Sequence, residues 1–254
     1  MKIRLFKSFS LLLLICLFAF SGCKTNSVLD TTSTDFELFQ GETPDKKATW
    51  HCIKIDLENP QLQIQIIPET EQCKSDYLKN IARKNNAKVA INTTPFTFDT
   101  ESPLVGITKV NGKTFSQAAE KYSALCFTFR PLTAHIIKNQ TAADLEQYPC
   151  AIGGFFTILE NHQIQTFEKI KRSRSAAGLS HNGRYLYLFA TTPKFSLRDN
   201  NGMTYEECAS LLLELGCTDA IQFDGGRSTG LYYNGAELEK PLLQRKVPAI
   251  IIIK

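Results

Sequence analysis

Residues 219–229 contain the side chains best suited to bind or process a polar ligand. The apolar stretch DAIQF, residues 219–223, predicts a strand that ends directly before an acidic and glycine-rich segment. The acid would stand at a sheet edge, and the glycines would let backbone N–H groups meet an anion beside a cation and a hydroxyl. The residues concerned are Asp224, Gly225, Gly226, Arg227 and Ser228. The pattern predicts a site for a phosphorylated ligand, and the alternative is a plain turn, which uses the same residue types.

Composition excludes several other classes of protein. The chain has 254 residues, of which 43% are hydrophobic and 21% charged, so disorder, collagen and coiled coil are excluded. The formal net charge is +4, but three basic residues lie in the first 22 residues, which hold no acid. The remaining body is nearly neutral. We therefore expect no nucleic-acid partner, because such a partner requires a concentrated basic face.

The first residues predict export and membrane attachment. A short basic stretch and an apolar run of about a dozen residues precede Cys23, as in a bacterial lipoprotein signal. We assign residues 1–22 to the signal peptide, Cys23 to lipidation, residues 23–35 to a flexible tether and residues 36–254 to one domain. The predicted location is the bacterial cell envelope, periplasmic or outward-facing. An ordinary secretory signal with a chance cysteine is the alternative.

Export gives the cysteines two possible roles. Six remain after the signal and the lipidated residue are set aside: Cys52, Cys73, Cys126, Cys150, Cys208 and Cys217. An oxidising compartment would permit three disulfides, and chain proximity suggests Cys52 with Cys73 and Cys126 with Cys150. The alternative is buried free thiols that pack as small hydrophobic groups.

Hydrophobic patterning predicts an α+β domain with a mixed, strand-rich sheet and a few packed helices. Residues 52–57 and 62–67 alternate in polarity around a Glu-Asn-Pro segment and predict a hairpin-like strand pair. Residues 75–85 predict a helix capped by Ser75. Residues 205–215 predict a second helix with a capping box. Further strands are expected at residues 88–92, 104–110, 124–130, 134–138, 155–159, 185–190, 219–223, 230–233 and 247–253.

Several segments together are similar to those of the phosphodiester glycosidase family. Residues 174–178 (RSAAG) match an Arg-Thr-Ala-Ile-Gly motif, and residues 222–228 (QFDGGRS) match the hallmark Asn-Leu-Asp-Gly-Gly-Gly-Ser. Residues 92–96 (NTTPF) resemble an Asn-Gly-Gly-Phe-Phe motif, and residues 244–247 (QRKV) a late Pro-Arg-x-Val. The departures are Gln222 for Asn, Arg227 for the third Gly, and Thr93 and Thr94 for a glycine pair.

The resemblance implies a glycosidase that acts on a sugar-1-phosphodiester, with a glycan or phosphosugar as its partner. Arg174 would bind the phosphate, because its planar fork suits two oxygens. Asp224 would face the anomeric carbon as nucleophile, base or electrostatic stabiliser. Asn92 would bind sugar hydroxyls or orient Asp224, with a turn-forming role as the alternative. The expected substrate-binding residues are Gly225, Gly226, Arg227, Ser228, Gln222 and Arg245.

A second catalytic carboxylate is not evident from the sequence. Glu207 matches a family glutamate in position, but its place in the capping box explains it without catalysis. Asp99 and Glu101 could reach the site or be ordinary loop acids. No cofactor is expected, and a hard divalent cation on Asp224 stays open as an alternative.

Three functions compete. The first is the hydrolase described above. The second is a glycan-binding or phosphosugar-binding envelope lipoprotein that has lost activity, which Gln222 and Arg227 motivate. The third is a structural envelope lipoprotein, which a cleft lacking Arg174 and Asp224 together would favour.

Overall fold

Strands make up most of the chain in the computed structural model, which describes residues 36–70, 74–97, 104–194 and 201–254. The strands are, in chain order, β1 (Phe36–Glu42), β2 (Ala48–Asp56), β3 (Ile64–Pro68), β4 (Val89–Asn92), β5 (Thr108–Val110), β6 (Lys113–Ser116), β7 (Ala124–Phe129), β8 (Leu132–Ile137), β9 (Cys150–Gly153), β10 (Thr157–Glu160), β11 (Gln163–Ile164), β12 (Arg174–Ser180), β13 (Tyr185–Pro193), β14 (Cys217–Gln222), β15 (Leu231–Tyr233), β16 (Ala236–Glu239) and β17 (Ala249–Ile253). The helices are α1 (Leu78–Lys84), α2 (Ala142–Glu146) and α3 (Tyr205–Glu214).

The described strands form three sheets whose neighbouring strands all run antiparallel. The first sheet has the order β1-β2-β13-β12-β14-β10-β11, the second β16-β15-β4-β17-β3 and the third β6-β5-β9-β7-β8. The prediction of a strand-rich fold is confirmed. The prediction of a single mixed sheet is wrong, because pairing is antiparallel and is divided among three sheets.

The expected strand pair around residues 58–60 does not form. β2 lies between β1 and β13 in the first sheet, whereas β3 pairs with β17 in the second. Both hydrogen-bonding edges of β2 are already occupied, so β3 cannot pair with it. The two segments alternate in polarity as expected of strands, but local patterning does not determine the partner.

One hydrophobic core joins the three sheets. Ile53 and Leu188 from the first sheet, Ile91 from the second, and Leu125 and Ile152 from the third are fully buried in the same cluster. A separate cluster packs α3 on the other face of the first sheet. Sharing of this core fixes the strand ends of the first two sheets relative to each other, which matters for the site.

Only the second predicted helix begins as expected. In α3, the Thr204 hydroxyl accepts the Glu207 N–H and the Glu207 carboxylate accepts the Thr204 N–H, which confirms the capping box. In α1, Tyr77 is the N-terminal flanking residue and provides no side-chain cap. Ser75 instead donates its hydroxyl to Glu69, so its predicted capping role is wrong.

The described cysteines are free thiols. Cys52, Cys126, Cys150, Cys208 and Cys217 are all buried without a disulfide. The expected pairing of Cys126 with Cys150 is wrong, because β7 and β9 place these residues one position out of register and in different hydrophobic clusters. Cys52 is free as well, so its expected disulfide with Cys73, which lies outside the described residues, is not present. Burial raises the pKa of Cys126 to about 12, which keeps that thiol neutral.

The predicted signal peptide, Cys23 and the tether lie outside the described residues. No helix within the described ranges is long and apolar enough to cross a membrane.

Candidate functional site

A cavity of about 560 Å³ opens beside the start of β12 and the loop that follows β14. Two acids, four arginines, three apolar or aromatic side chains and two glycines line it: Asp224, Glu168, Arg172, Arg174, Arg227, Arg245, Phe155, Ile170, Tyr205, Gly225 and Gly226. Asp224 and Arg174 therefore share one cavity, as the sequence motifs predict. Gln222, Ser228 and Asn92 are not among the lining residues.

Hydrogen bonds from both sides fix the backbone of Asp224. Its N–H donates to the Thr93 carbonyl at 2.8 Å, and its carbonyl accepts the Asn92 side-chain N–H at 2.7 Å. The Asn92 amide oxygen accepts the Ser175 hydroxyl at 2.6 Å and the Gly230 N–H at 3.0 Å. Asn92 is 1% exposed, and its contacts are those of a residue that orients Asp224, one of the two roles predicted for it.

Hydrogen bonds and close packing within the protein fix Gly225 and Gly226. The Gly225 N–H donates to the Asp224 carboxylate, and the Gly226 N–H donates to the Ser173 carbonyl at 2.9 Å. Both amides are therefore hydrogen-bonded within the protein, and the role of these glycines in substrate binding stays a prediction. The glycines are needed because a Cβ on Gly225 would lie 2.7 Å from the Ser173 oxygen, and Gly226 has a φ of 60°.

The Asp224 carboxyl has a raised proton affinity. Burial raises its pKa to about 6, against the opposing effects of the Ser228 hydroxyl, the Arg245 charge and the Gly225 N–H. A carboxyl that titrates near neutral pH inside a cavity is a frequent property of catalytic groups. Ser228 is 1% exposed, and its hydroxyl lies beside the Asp224 carboxyl.

Arg174 is a buried cation that backbone carbonyls hold in place. It is 6% exposed, its Nε donates to the Met203 carbonyl at 3.1 Å, and its Nη2 donates to the Ile170 carbonyl at 2.7 Å. The guanidinium lies 4.0 Å from the centre of the Tyr205 ring. None of the described acids forms an ion pair with it, so its charge is stabilised by dipoles and a π face and remains available to an anion.

The three other arginines surround the same cavity. Arg227 is exposed, and its Nε donates to the Leu243 carbonyl at 2.8 Å. The Arg245 N–H donates to the Arg227 carbonyl at 2.9 Å, which places the late QRKV segment against the glycine-rich loop. Arg172 is exposed and also lines the cavity. Its position two residues before Arg174 on an extended chain explains this, because alternate residues share a face.

Aromatic and apolar side chains form the rest of the wall. Phe155 and Tyr205 line the cavity together with Ile170. Phe156 and Phe167 pack against Tyr205, with ring centres 6.4 and 5.1 Å away, and hold that ring in place. Such faces suit the C–H surface of a sugar, while the arginines suit a phosphate. Neither aromatic lining residue belongs to a motif that marked it in the sequence.

The candidates for a second carboxylate beside Asp224 differ in where they lie. Glu207 remains in its capping box and pairs with Lys171 at 3.0 Å, away from the cavity. Asp99 and Glu101 lie outside the described residues. Glu168, which no sequence pattern marked, is the described carboxylate that lines the cavity together with Asp224.

Gln222 is a structural residue at the end of β14. It is fully buried, and its side-chain N–H groups donate to the carbonyls of Ser175 and Phe223. These contacts are all within the protein, and the substrate-binding role of Gln222 stays a prediction. Within the described ranges, no cluster of three or more histidine, cysteine, aspartate or glutamate side chains could hold a metal ion.

The raised pKa of Asp224 predicts a pH-dependent stability. The folded state holds the proton more tightly than the unfolded state, where the pKa has its ordinary value of 3.8. The free energy of unfolding of the wild type relative to Asp224→Asn should therefore fall from pH 4 to above pH 6, by at most roughly 3 kcal/mol. Urea unfolding of both proteins across this range measures the difference. Parallel pH curves would show that the carboxyl is not perturbed.

Solved structures share this fold. A hypothetical protein from Synechocystis superposes with a TM-score of 0.71 at 14% identity, covering 92% of this chain. The chain spans 64% of the length of that protein. The catalytic domain of zebrafish N-acetylglucosamine-1-phosphodiester alpha-N-acetylglucosaminidase, auto-inhibited by its pro-peptide, superposes with a TM-score of 0.67 at 17% identity, covering 88% of this chain and 84% of that one.

A putative exported protein from Burkholderia pseudomallei has a TM-score of 0.59 at 11% identity, covering 81% of this chain and 74% of its own. At these identities the likeness establishes the fold alone. No protein of curated function matches the chain. The family model for phosphodiester glycosidase matches residues 85–254, which include every described residue of the cavity. The chain therefore belongs to the phosphodiester glycosidase family.

Proposed function

We propose that the chain is an exported hydrolase that cleaves a sugar-1-phosphodiester, in which the sugar is N-acetylglucosamine-like or part of a cell-envelope glycan. The observation that carries the proposal is the pairing, in one cavity, of a carboxyl with a pKa near 6 and a buried guanidinium that lacks a carboxylate partner among the described residues. The zebrafish enzyme of the same fold is named for an N-acetylglucosamine-1-phosphodiester, which supports this substrate class.

Three residues that line the cavity have separate roles in the proposed reaction. Arg174 binds the phosphate, and Phe155 supports the sugar face that is turned away from solvent. Asp224 faces the anomeric carbon in its ionised form, as nucleophile, base or electrostatic stabiliser of the oxocarbenium-like centre. Hydrolysis breaks the bond between the anomeric carbon and the phosphate oxygen. Water supplies the new hydroxyl, and the phosphomonoester leaves with the bonding electron pair.

The chemistry of the leaving group explains why a single carboxyl with a raised pKa, that of Asp224, can suffice for catalysis. A departing phosphate is already acidic, so protonation of its oxygen helps less than in an ordinary glycoside. Glu168 is the candidate for a second carboxylate, because it is the other described acid on the cavity wall. Its role would be to receive the proton of the attacking water.

The binding-module alternative rests on Arg227 and Gln222. Gln222 lies behind the cavity and leaves its lining unchanged, whereas Arg227 adds a cation to it. Calorimetry that detects phosphosugar binding without product formation would favour this alternative. The structural-lipoprotein alternative is not favoured, because Arg174 and Asp224 both line the cavity, whereas a cleft lacking them would favour it.

Asp224→Asn should abolish turnover of a sugar-1-phosphodiester, because the substituted amide cannot carry the negative charge that the anomeric carbon requires. Release of the phosphomonoester measures turnover, and the melting temperature checks folding. Asp219→Asn is the matched control, since Asp219 is on β14, the strand that leads to Asp224, but accepts the Asn161 N–H and does not line the cavity. Undiminished turnover in Asp224→Asn would remove the mechanism. Undiminished turnover in Glu168→Gln would remove only the role of Glu168.

We further propose that the protein is anchored in the cell envelope through lipid on Cys23, because the basic start, the apolar run and the small residues before this cysteine form a lipoprotein signal. Cells grown with labelled palmitate should give a labelled protein, and Cys23→Ser should lose the label. Label that survives the substitution, or a soluble wild-type protein without label, would contradict the anchor.

A further inference from the structure

The most exposed large apolar side chains of the described residues lie beside arginines of the cavity. Three aliphatic residues rank first in exposure: Leu242 at 61%, Leu243 at 51% and Ile170 at 45%. Single exposed apolar residues are common on protein surfaces, whereas several of them beside a polar site indicate a ligand with an apolar part. We call Ile170, Leu242 and Leu243 the apolar rim.

Ile170 connects the apolar rim to the proposed phosphate-binding group. It lines the cavity, and its backbone carbonyl accepts the Arg174 Nη2 at 2.7 Å. The same residue therefore holds the guanidinium through its backbone and presents an aliphatic side chain that is nearly half exposed. An apolar surface thus begins directly beside Arg174.

Leu243 has the same relation to a second arginine. Its backbone carbonyl accepts the Arg227 Nε at 2.8 Å, and Arg227 lines the cavity. Leu243 is not itself among the lining residues, and with Leu242 it continues the apolar surface outside the cavity. Two segments that are distant in sequence thus combine an arginine inside the cavity with an aliphatic side chain in solvent.

The fold itself does not account for the apolar character of the rim. None of its three residues belongs to a hydrophobic cluster of the described part of the chain, either in the core or packed against it. An apolar side chain stabilises a fold by its removal from water, and these side chains remain about half exposed or more. A ligand that covers them would gain the same contribution on binding.

The arginines and the rim together are complementary to an amphipathic ligand. On the basis of the proposed function, we propose that the alcohol on the far side of the scissile phosphate is a lipid. Arg174 binds the phosphate, the sugar lies on Phe155, and the first methylene groups of the lipid lie on Ile170 and Leu243. Water supplies the hydroxyl of the released sugar, and the lipid monophosphate leaves with the bonding electron pair.

Calorimetry with methyl phosphate and octyl phosphate tests the rim without requiring turnover. The two ligands share the phosphate and differ only in chain length, and octyl phosphate is used below the concentration at which it forms micelles. The wild type should bind octyl phosphate about tenfold more tightly, which corresponds to burial of roughly two methylene groups. Equal affinities would overturn the proposal.

Variants assign the octyl preference to the rim. Ile170→Thr combined with Leu243→Asn nearly keeps the size of both side chains and removes their apolar surface, so the affinity ratio should fall to about twofold or less. Leu243→Asn alone should lower the ratio about threefold, which keeps the test valid if the double variant unfolds. Ile164→Thr is the matched control, because Ile164 is an exposed isoleucine of β11 that does not line the cavity. A preference that survives both rim variants would overturn the rim as the binding surface.

Turnover separates this inference from the hydrolysis on which it rests. The octyl diester of N-acetylglucosamine 1-phosphate should have a kcat/KM about tenfold above that of the methyl diester. Equal values would overturn the lipid substrate and leave the hydrolase intact. No turnover of either diester, with the octyl preference retained in binding, would remove the hydrolysis and keep a lipid phosphate as the ligand. Rim-dependent binding to phosphatidylcholine vesicles without an octyl preference would make the rim a membrane contact and overturn the proposal.

Discussion

Asn92 is the buried side chain on which the geometry of the site depends. It lies at the end of β4 in the second sheet, accepts hydrogen bonds from Ser175 of β12 and from Gly230, and donates to the carbonyl of Asp224. The Asn92 amide therefore connects the end of β4 in the second sheet and the start of β12 in the first sheet to the loop that carries Asp224. Loss of such a buried amide leaves several polar groups without partners, which costs far more than one exposed hydrogen bond. The position of the carboxyl is thus a property of the packed core and not of a mobile loop.

The connection through Asn92 also bears on how one cavity holds both the Arg174 guanidinium and the Asp224 carboxyl, whose pKa is raised. β12, which begins at Arg174, pairs with β14 through Ala176 and Gln222. Arg174 therefore lies close to the end of β14, and Asp224 follows that end by two residues. Two backbone carbonyls and the Tyr205 ring stabilise the Arg174 guanidinium. Burial of the Asp224 carboxyl disfavours its charged form and raises its pKa. Neither group neutralises the other by a direct ion pair. Both therefore remain available to a ligand, at a cost in stability that the rest of the core must offset.

Short-range sequence patterns predict the elements around the candidate site but not their detailed contacts. The strand that leads into Asp224 and the capping box of α3 follow from short-range patterns, and both are present. The sequence predicts a close approach to the backbone at the glycines after Asp224, and at Gly225 the group that approaches is the Ser173 carbonyl. Residue type alone does not reveal which backbone passes nearby.

The remaining failures concern long-range pairing. β2 and β3 are adjacent in sequence and belong to different sheets, because strands from distant parts of the chain fill both edges of β2. The cysteines that are close in sequence are separated by the alternation of side chains across β7 and β9. Phe155 and Glu168 reach the cavity through this tertiary arrangement, so no short motif could mark them. Arg172 could have been found from its spacing to Arg174.

The most direct test of the account is a crystal structure with a sugar-1-phosphonate diester, in which a methylene group replaces the oxygen that hydrolysis would release. The account predicts phosphonate oxygens within hydrogen-bonding distance of the Arg174 guanidinium, and the anomeric carbon facing the Asp224 carboxyl. A ligand bound outside this cavity, or one whose sugar lies away from Asp224 while the phosphonate avoids Arg174, would contradict it.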